Sequence, residues 1–416
     1  MVLKRSLGLF DAASIGIGAI VGAGIFVVTG VASGLAGPAL LLSLLIGAVI
    51  AGFSALSFAE LARFIPKEGG GYEFARELIS PFGGFIAGWM WIISNLVVGA
   101  AVAIGFASYL NTFIDAPVNL VAAIACVLVT IVNLMGGRES GLMNDALVLV
   151  KIAILAMFVV LGFGQVSLSN FHPFAPKGGL GVMQGAALIF FAYAGFARIT
   201  LVSEEVNDPR KTIPKAIVVA LVLSTVIYLL VAFTAIGLVG YKEISSSGAP
   251  LSDAAMVEGK NAASLISVGA LAATLGVLLT TLLGLSRISF AMARRRDMPA
   301  VFARLGDKTG APIFAILILG SAMTIFATFS TLLQAAAIAN FAALIYYGIG
   351  NYSALRLKEP DYPRAIPVFG LISCIVLVLF LSSAAWVVGG TVLGVGIAVY
   401  LVREKWAAKS PRLGAH

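Results

Sequence analysis

Charge is scarce in this chain: only 11% of its 416 residues are Asp, Glu, Lys or Arg, against about 25% in an ordinary soluble domain. Histidine is scarcer still, with His172 in a predicted outer loop and His416 at the last position. Neither falls in an apolar span, which excludes a His-based metal cluster or proton relay inside a membrane, and a membrane-embedded enzyme of that kind. The two cysteines, Cys126 and Cys374, both lie within apolar runs, where a thiol behaves as a small hydrophobe, so no disulfide framework is implied. No metal or other cofactor is expected. Nor is a cleavable leader, because Lys4 and Arg5 precede an apolar span too long for a signal-peptide core and no convincing small-residue cleavage site is evident.

What the chain does have is apolar length. Hydrophobic residues make up 60% of it and the mean hydropathy is +1.05, which points to lipid as the solvent. Apolar runs between polar or Pro/Gly punctuation predict spans near 11–32, 38–63, 82–113, 118–135, 142–164, 181–205, 213–240, 262–293, 312–329, 332–355, 366–383 and 385–402. The last two come from one run divided near Ser382 and Ser383, so eleven is the alternative to twelve. The expectation is an all-α polytopic membrane protein with about twelve transmembrane helices.

The formal charge of +8 could suggest nucleic acid, but its distribution argues for membrane orientation. An even span count puts both termini on one side. That side then carries Lys4, Arg5, Arg63, Lys67, Arg76, Arg138, Arg210, Lys211, Lys215, 294-RRR-296, Arg304, Lys308, Arg356, Lys358 and Arg364. The other side carries only Lys177, Lys242 and Lys260. By the positive-inside rule both termini are expected in the cytoplasm. No nucleic-acid partner is expected. The expected organisation is a cytoplasmic N-terminus (1–10), a first half of five spans (11–164), a second half of five (181–356), two further spans (366–402) and a cytoplasmic tail (403–416). An odd number of spans in each half forces the second to be inverted, the architecture of a secondary transporter.

The segment 15-IGIGAIVGAGIF-26 carries Gly16, Gly18, Gly22 and Gly24 inside the first span, although each costs a helix interior up to about 1 kcal/mol relative to Ala. One reading of 18-GAIVG-22 is a small-residue packing face. The other is a broken helix, favoured by the mid-span position of Gly22, Ala23 and Gly24 and by a corresponding interruption at 190-FFAYAGF-196 in the sixth span. Unwound backbone presents N–H groups to anions and C=O groups to cations, an arrangement suited to a zwitterion.

The motifs 16-GIGAIVGAGIF-26, 58-FAELARFIPKEGGGYEFAR-76 and 190-FFAYAGFARITLVSEEVNDPRKTIPKAI-217 resemble those of the amino acid/polyamine/organocation transporters, proton-coupled amino acid permeases in particular. The resemblance implies an inverted five-plus-five repeat with the first and sixth helices broken, the LeuT-like fold. It also implies an amino acid substrate gripped by backbone: its carboxylate on the N–H groups of Gly22, Ala23 and Gly24, its ammonium on the carbonyls of Ile20, Phe191 and Ala194. Phe190 and Tyr193 would shape the pocket or its gate, although ordinary helix packing is the alternative for both.

Lys151 sits mid-run in 146-ALVLVKIAILAMFVVLG-162, and an ionisable residue inside a membrane is by default a functional candidate. Burial makes its charged form costly, so the amine can serve as a proton carrier; the alternative is a fixed structural ammonium. The resemblance implies that it replaces a sodium ion and lies against the carbonyl of Gly18, with Thr280 and Thr281 of the eighth span as plausible neighbours. Arg198 is unassigned. It either faces the cavity and selects an acidic side chain or, as favoured here, pairs with Glu204, Glu205 or Glu60 at the cytoplasmic end. The expected function is plasma-membrane import of amino acids by proton symport with alternating access. The alternatives are an amino acid exchanger or a polyamine carrier without obligatory proton coupling. A channel is disfavoured because the spans carry isolated charges and no continuous polar lining. The oligomeric state is open.

Overall fold

The computed structural model describes residues 7–22, 24–65, 69–135, 141–201, 206–306 and 310–409, with the side chains of 141–147, 201 and 406–409 outside that description. Ala23, Glu204 and Glu205 therefore lie outside the described residues, as do Lys4, Arg5, Lys67, Arg138 and Lys308. Among the described residues the chain is helical, with no strand beyond an isolated parallel bridge between Leu7 and Val206.

The first expected span is in three pieces: α1 (Leu9–Ile20), a π-helical segment (Gly24–Val28) and α2 (Thr29–Ala36). There follow α3 (Leu40–Phe64), the short α4 (Gly71–Leu78), α5 (Pro81–Leu110), α6 (Val118–Leu134) and α7 (Gly141–Gly162). The sixth expected span is again in three pieces: α8 (Gly178–Tyr193), a 3-10 turn (Ala194–Phe196) and α9 (Ala197–Leu201). Then come α10 (Pro209–Val239), the short α11 (Tyr241–Ser246) and α12 (Pro250–Ala255), α13 (Lys260–Arg294), α14 (Ile313–Phe329) and α15 (Leu332–Leu355). The chain closes with α16 (Ala365–Leu379) and α17 (Ser383–Lys409).

Among the described residues, eight helical stretches are long and apolar enough to cross a bilayer, and the first of them, Leu9–Phe64, covers the first two expected spans. The fourth, ninth and eleventh expected spans correspond to α6, α14 and α16, apolar helices of 17, 17 and 15 residues. At about 1.5 Å per residue these lie near the short end of what a hydrocarbon core requires. The final apolar run divides where expected, between Leu379 and Ser383.

Local chemistry sets several boundaries. Pro81 opens α5 at a position whose N–H needs no partner, and the Ser80 hydroxyl accepts from Gly83 N–H at 3.0 Å. Thr331 and Gln334 form a reciprocal capping box at the start of α15. Pro209 opens α10, in keeping with the expected helix end before it.

Lipid-facing sides are visible as exposed apolar stripes. On α6, Leu120, Ile124, Val127, Leu128 and Ile131 recur at helical spacing and are all exposed. On α16, Phe369, Ile372, Ile375 and Leu379 do the same. The interior is built on α5, which packs against α13 and α15 through a face rich in Gly and Ala.

Candidate functional site

Where α1 ends, its last carbonyls have no partner within the helix, and each must find one elsewhere. The Ile17 carbonyl accepts from Val21 N–H at 2.7 Å. The Gly18 carbonyl accepts from the buried Lys151 ammonium of α7 at 2.9 Å. Val21 (φ −73°, ψ 74°) makes an inverse γ-turn, in which Gly22 N–H turns back onto the Ile20 carbonyl at 2.7 Å. The Tyr228 hydroxyl of α10 also reaches that carbonyl, at 2.6 Å. The helix stops at the turn centred on Val21, and the π-helical segment resumes at Gly24. Its first N–H groups lack acceptors in their own segment by geometry.

The second break shows the same economy of acceptors. Ala194 N–H returns to the Phe191 carbonyl. The Tyr228 hydroxyl lies 3.1 Å from the Ala192 carbonyl, and the Tyr347 hydroxyl of α15 donates to the Ala194 carbonyl at 2.8 Å. Leu188, a turn earlier, is capped by the Asn340 amide at 2.9 Å.

The two breaks touch, and glycine is what lets them. A Cβ added to Gly24 would stand 2.6 Å from Ala192 Cα, and one added to Gly195 would stand 2.4 Å from the Ala19 carbonyl. Each break thus presses a glycine on the backbone of the other. Beside this crossing lies a cavity walled by Ile20, Gly24, Trp91, Asn95, Phe191 and Arg198, with empty space of about 830 Å³ including the part open to solvent.

Of the residues expected at a binding site, Ile20, Gly24, Phe191, Ala194 and Arg198 line this cavity. Gly22 sits at the edge of the crossing, facing a Val277 methyl. Ala23 falls outside the described residues. Phe190 and Tyr193 turn into helix packing, as the alternative reading of both allowed. Phe190 is fully buried edge-on against Tyr347, and Tyr193 is the last residue of α8, its hydroxyl 3.2 Å from the Leu44 carbonyl of α3.

Arg198 was expected to pair with Glu204, Glu205 or Glu60, the first two of which lie outside the described residues. It lies on the cavity wall, donating from Nη1 to Thr280 Oγ1 at 2.7 Å and from Nη2 to Thr281 Oγ1 at 3.3 Å. The two threonines expected near Lys151 thus serve Arg198. Glu60 accepts from Tyr362 N–H at 2.9 Å, and Glu204 and Glu205 lie outside the described residues.

Sequence reasoning missed Trp91, Ser94 and Asn95 of α5, Tyr228 of α10, and Tyr346 and Tyr347 of α15. A signal for some of them existed. Tyrosine favours the membrane interface, so a mid-span Tyr such as Tyr228 or Tyr347 needs a polar partner. Asn95, polar within a 30-residue helix of high apolar content, is a similar mark.

Residues 11–410 match the family described as amino acid permease. An uncharacterised transporter of Mycobacterium tuberculosis is 38% identical over 410 residues, covering 97% of this chain and 92% of that one. The branched-chain amino acid permease of Bacillus subtilis is 30% identical over 439 residues, covering 98% and 94%. Among solved structures, a mutant of the manganese transporter of Eremococcus coleocola shares the fold, with a TM-score of 0.60 over 94% of each chain at 15% identity. With the broken helices, the cavity between them and a match spanning nearly its whole length, the chain belongs to the amino acid permease family of the amino acid/polyamine/organocation superfamily, a multi-pass membrane transporter and not an enzyme.

Proposed function

We propose that this protein imports α-amino acids across the plasma membrane by proton symport with alternating access, both termini lying in the cytoplasm. The observation that carries the coupling is the Lys151 ammonium buried against the Gly18 carbonyl, within the last turn before the first break. A cation is held where α7 packs against α1. Loss of its proton removes the charge that ties α7 to the broken helix, so protonation and the shape of the site are linked.

In this reading the substrate carboxylate meets the N–H groups around Gly22, Ala23 and Gly24, and the substrate ammonium meets the carbonyls of Ile20, Phe191 and Ala194. The Ile20 carbonyl already accepts from Gly22 N–H and from the Tyr228 hydroxyl, so an ammonium there displaces one of the two, whereas the Ala194 carbonyl accepts from the Tyr347 hydroxyl. The relative from Bacillus subtilis, named for branched-chain amino acids, supports the substrate class.

The test is uptake of labelled amino acids into proteoliposomes in sodium-free buffer. Saturable uptake that rises with an imposed inward proton gradient is expected. Uptake that needs sodium, or that proceeds by exchange while ignoring the pH gradient, would make Lys151 a fixed stand-in for a cation and the protein an exchanger.

A further inference from the structure

We propose that the groove between α15, α16 and α17 holds one anionic phospholipid of the surrounding bilayer, its acyl chain lying along the groove and its phosphate on Arg356. The groove is walled by Leu344, Ile345 and Ile349 of α15, Leu371 and Ile375 of α16 and Trp386 of α17, around empty space of about 810 Å³ including its open side. Gly348 makes its floor: a Cβ added there would meet nothing closer than Cys374 Cβ and Leu371 Cδ1, both at 3.8 Å.

The length fits a chain of one leaflet. From Leu344 to Tyr352 the groove follows α15 for about 12 Å at 1.5 Å per residue, whereas a partner helix crossing the whole hydrocarbon core would run alongside for about 30 Å. Trp386, edge-on to Phe341 of α15 with ring centroids 5.4 Å apart, stands at the end away from Tyr352.

The Tyr352 end carries the charge. The exposed Arg356 guanidinium lies 5.1 Å from the Tyr352 ring centroid and donates from Nε to the Tyr352 hydroxyl at 3.2 Å. A hydroxyl that accepts from a guanidinium keeps its own proton to donate, so Tyr352 and Arg356 together offer donors to a phosphate oxygen. Arg356 directly follows α15, on the side proposed as cytoplasmic. In the turn to α16, Lys358, Glu359 and Arg364 are exposed and Asp361 pairs with Arg63 at 2.7 Å. A headgroup phosphate at the interface with its chain in the apolar groove matches both ends at once.

The experiment is native mass spectrometry of the purified, delipidated full-length protein titrated with dioleoyl phosphatidylglycerol or dioleoyl phosphatidylcholine, reading the first lipid retained. Wild type should retain phosphatidylglycerol at a concentration about fivefold lower than phosphatidylcholine, the scale of one basic side chain near an anionic surface. Arg356→Gln should bring the two lipids together, and Gly348→Leu, which fills the floor of the groove, should lose the first retained lipid of both kinds. Equal retention of the two lipids by wild type, a fivefold preference that survives Arg356→Gln, or unchanged retention by Gly348→Leu would overturn the assignment. A lipid-free dimer that Gly348→Leu dissociates would also overturn it, making this face an interface between copies of the chain. If Gly348→Leu does not fold, the comparison of wild type with Arg356→Gln decides alone. Each of these outcomes leaves the transport reading as it stands.

Discussion

A Cβ on Gly24 would meet Ala192 Cα, a backbone atom that no rotamer change can move, whereas a Cβ on Gly22 would meet only a Val277 methyl 2.7 Å away. The two glycines should therefore differ in tolerance. Gly24→Ala is expected to abolish uptake while the protein still inserts, and Gly22→Ala to retain a measurable fraction, both read as uptake per amount of membrane-inserted protein. Equal loss in both would contradict the close-approach account. At this scale the sequence was partly readable. The glycines of 15-IGIGAIVGAGIF-26 and the intramembrane Lys151 announce themselves, because each carries a cost that an apolar helix does not otherwise bear. Arg198 stood out as a charge, but its hydrogen bonds to Thr280 and Thr281 did not, since those residues lie some eighty positions away and only tertiary structure brings them together.

Helices α1 and α8 are broken in corresponding places, and α10 is the element that holds both breaks. The Tyr228 hydroxyl has one proton and two carbonyls within reach, Ile20 at 2.6 Å and Ala192 at 3.1 Å. It can donate fully to only one of them at a time. Tyr228→Phe keeps the ring that packs against Tyr193 but leaves both carbonyls without this donor. A cost of about 0.5–1.5 kcal/mol is expected for the lost hydrogen bond, seen as a lowered melting temperature together with slowed uptake. Unchanged transport would show that the breaks hold each other without α10. The breaks themselves were legible because Gly and small residues cluster at matching depths. The hydroxyls that close them were not, because Tyr228 and Tyr347 lie outside both motifs and reach them only in the folded bundle.

Across the whole molecule, apolar length carried the multi-pass helical architecture, since it follows from the cost of unpaired backbone in hydrocarbon. How α4, the turn after α13 and α17 meet was not legible, because the charges that join them are far apart in sequence. Buried Asp297 accepts from Tyr72 at 2.6 Å and pairs with Arg76 of α4 and Arg403 of α17. Burial pushes the Tyr72 hydroxyl pKa well up, with the Asp297 hydrogen bond adding to it, so Tyr72 remains a donor. Asp297→Ala should lower stability by about 1–3 kcal/mol, discounted for the partial exposure of both arginines. Sidedness is tested at Ser246, exposed at the end of α11: a cysteine there should react with an impermeant thiol reagent applied to intact cells. Reaction only after permeabilisation would invert the proposed orientation. The central claim is that Lys151, held on the Gly18 carbonyl, carries the coupling proton. It is tested most directly by luminal pH in proteoliposomes holding wild type or Lys151→Ala, with external substrate added in sodium-free buffer. The account predicts substrate-dependent acidification with wild type and none with Lys151→Ala. Substrate uptake by wild type without acidification, or equal acidification with both proteins, would contradict it.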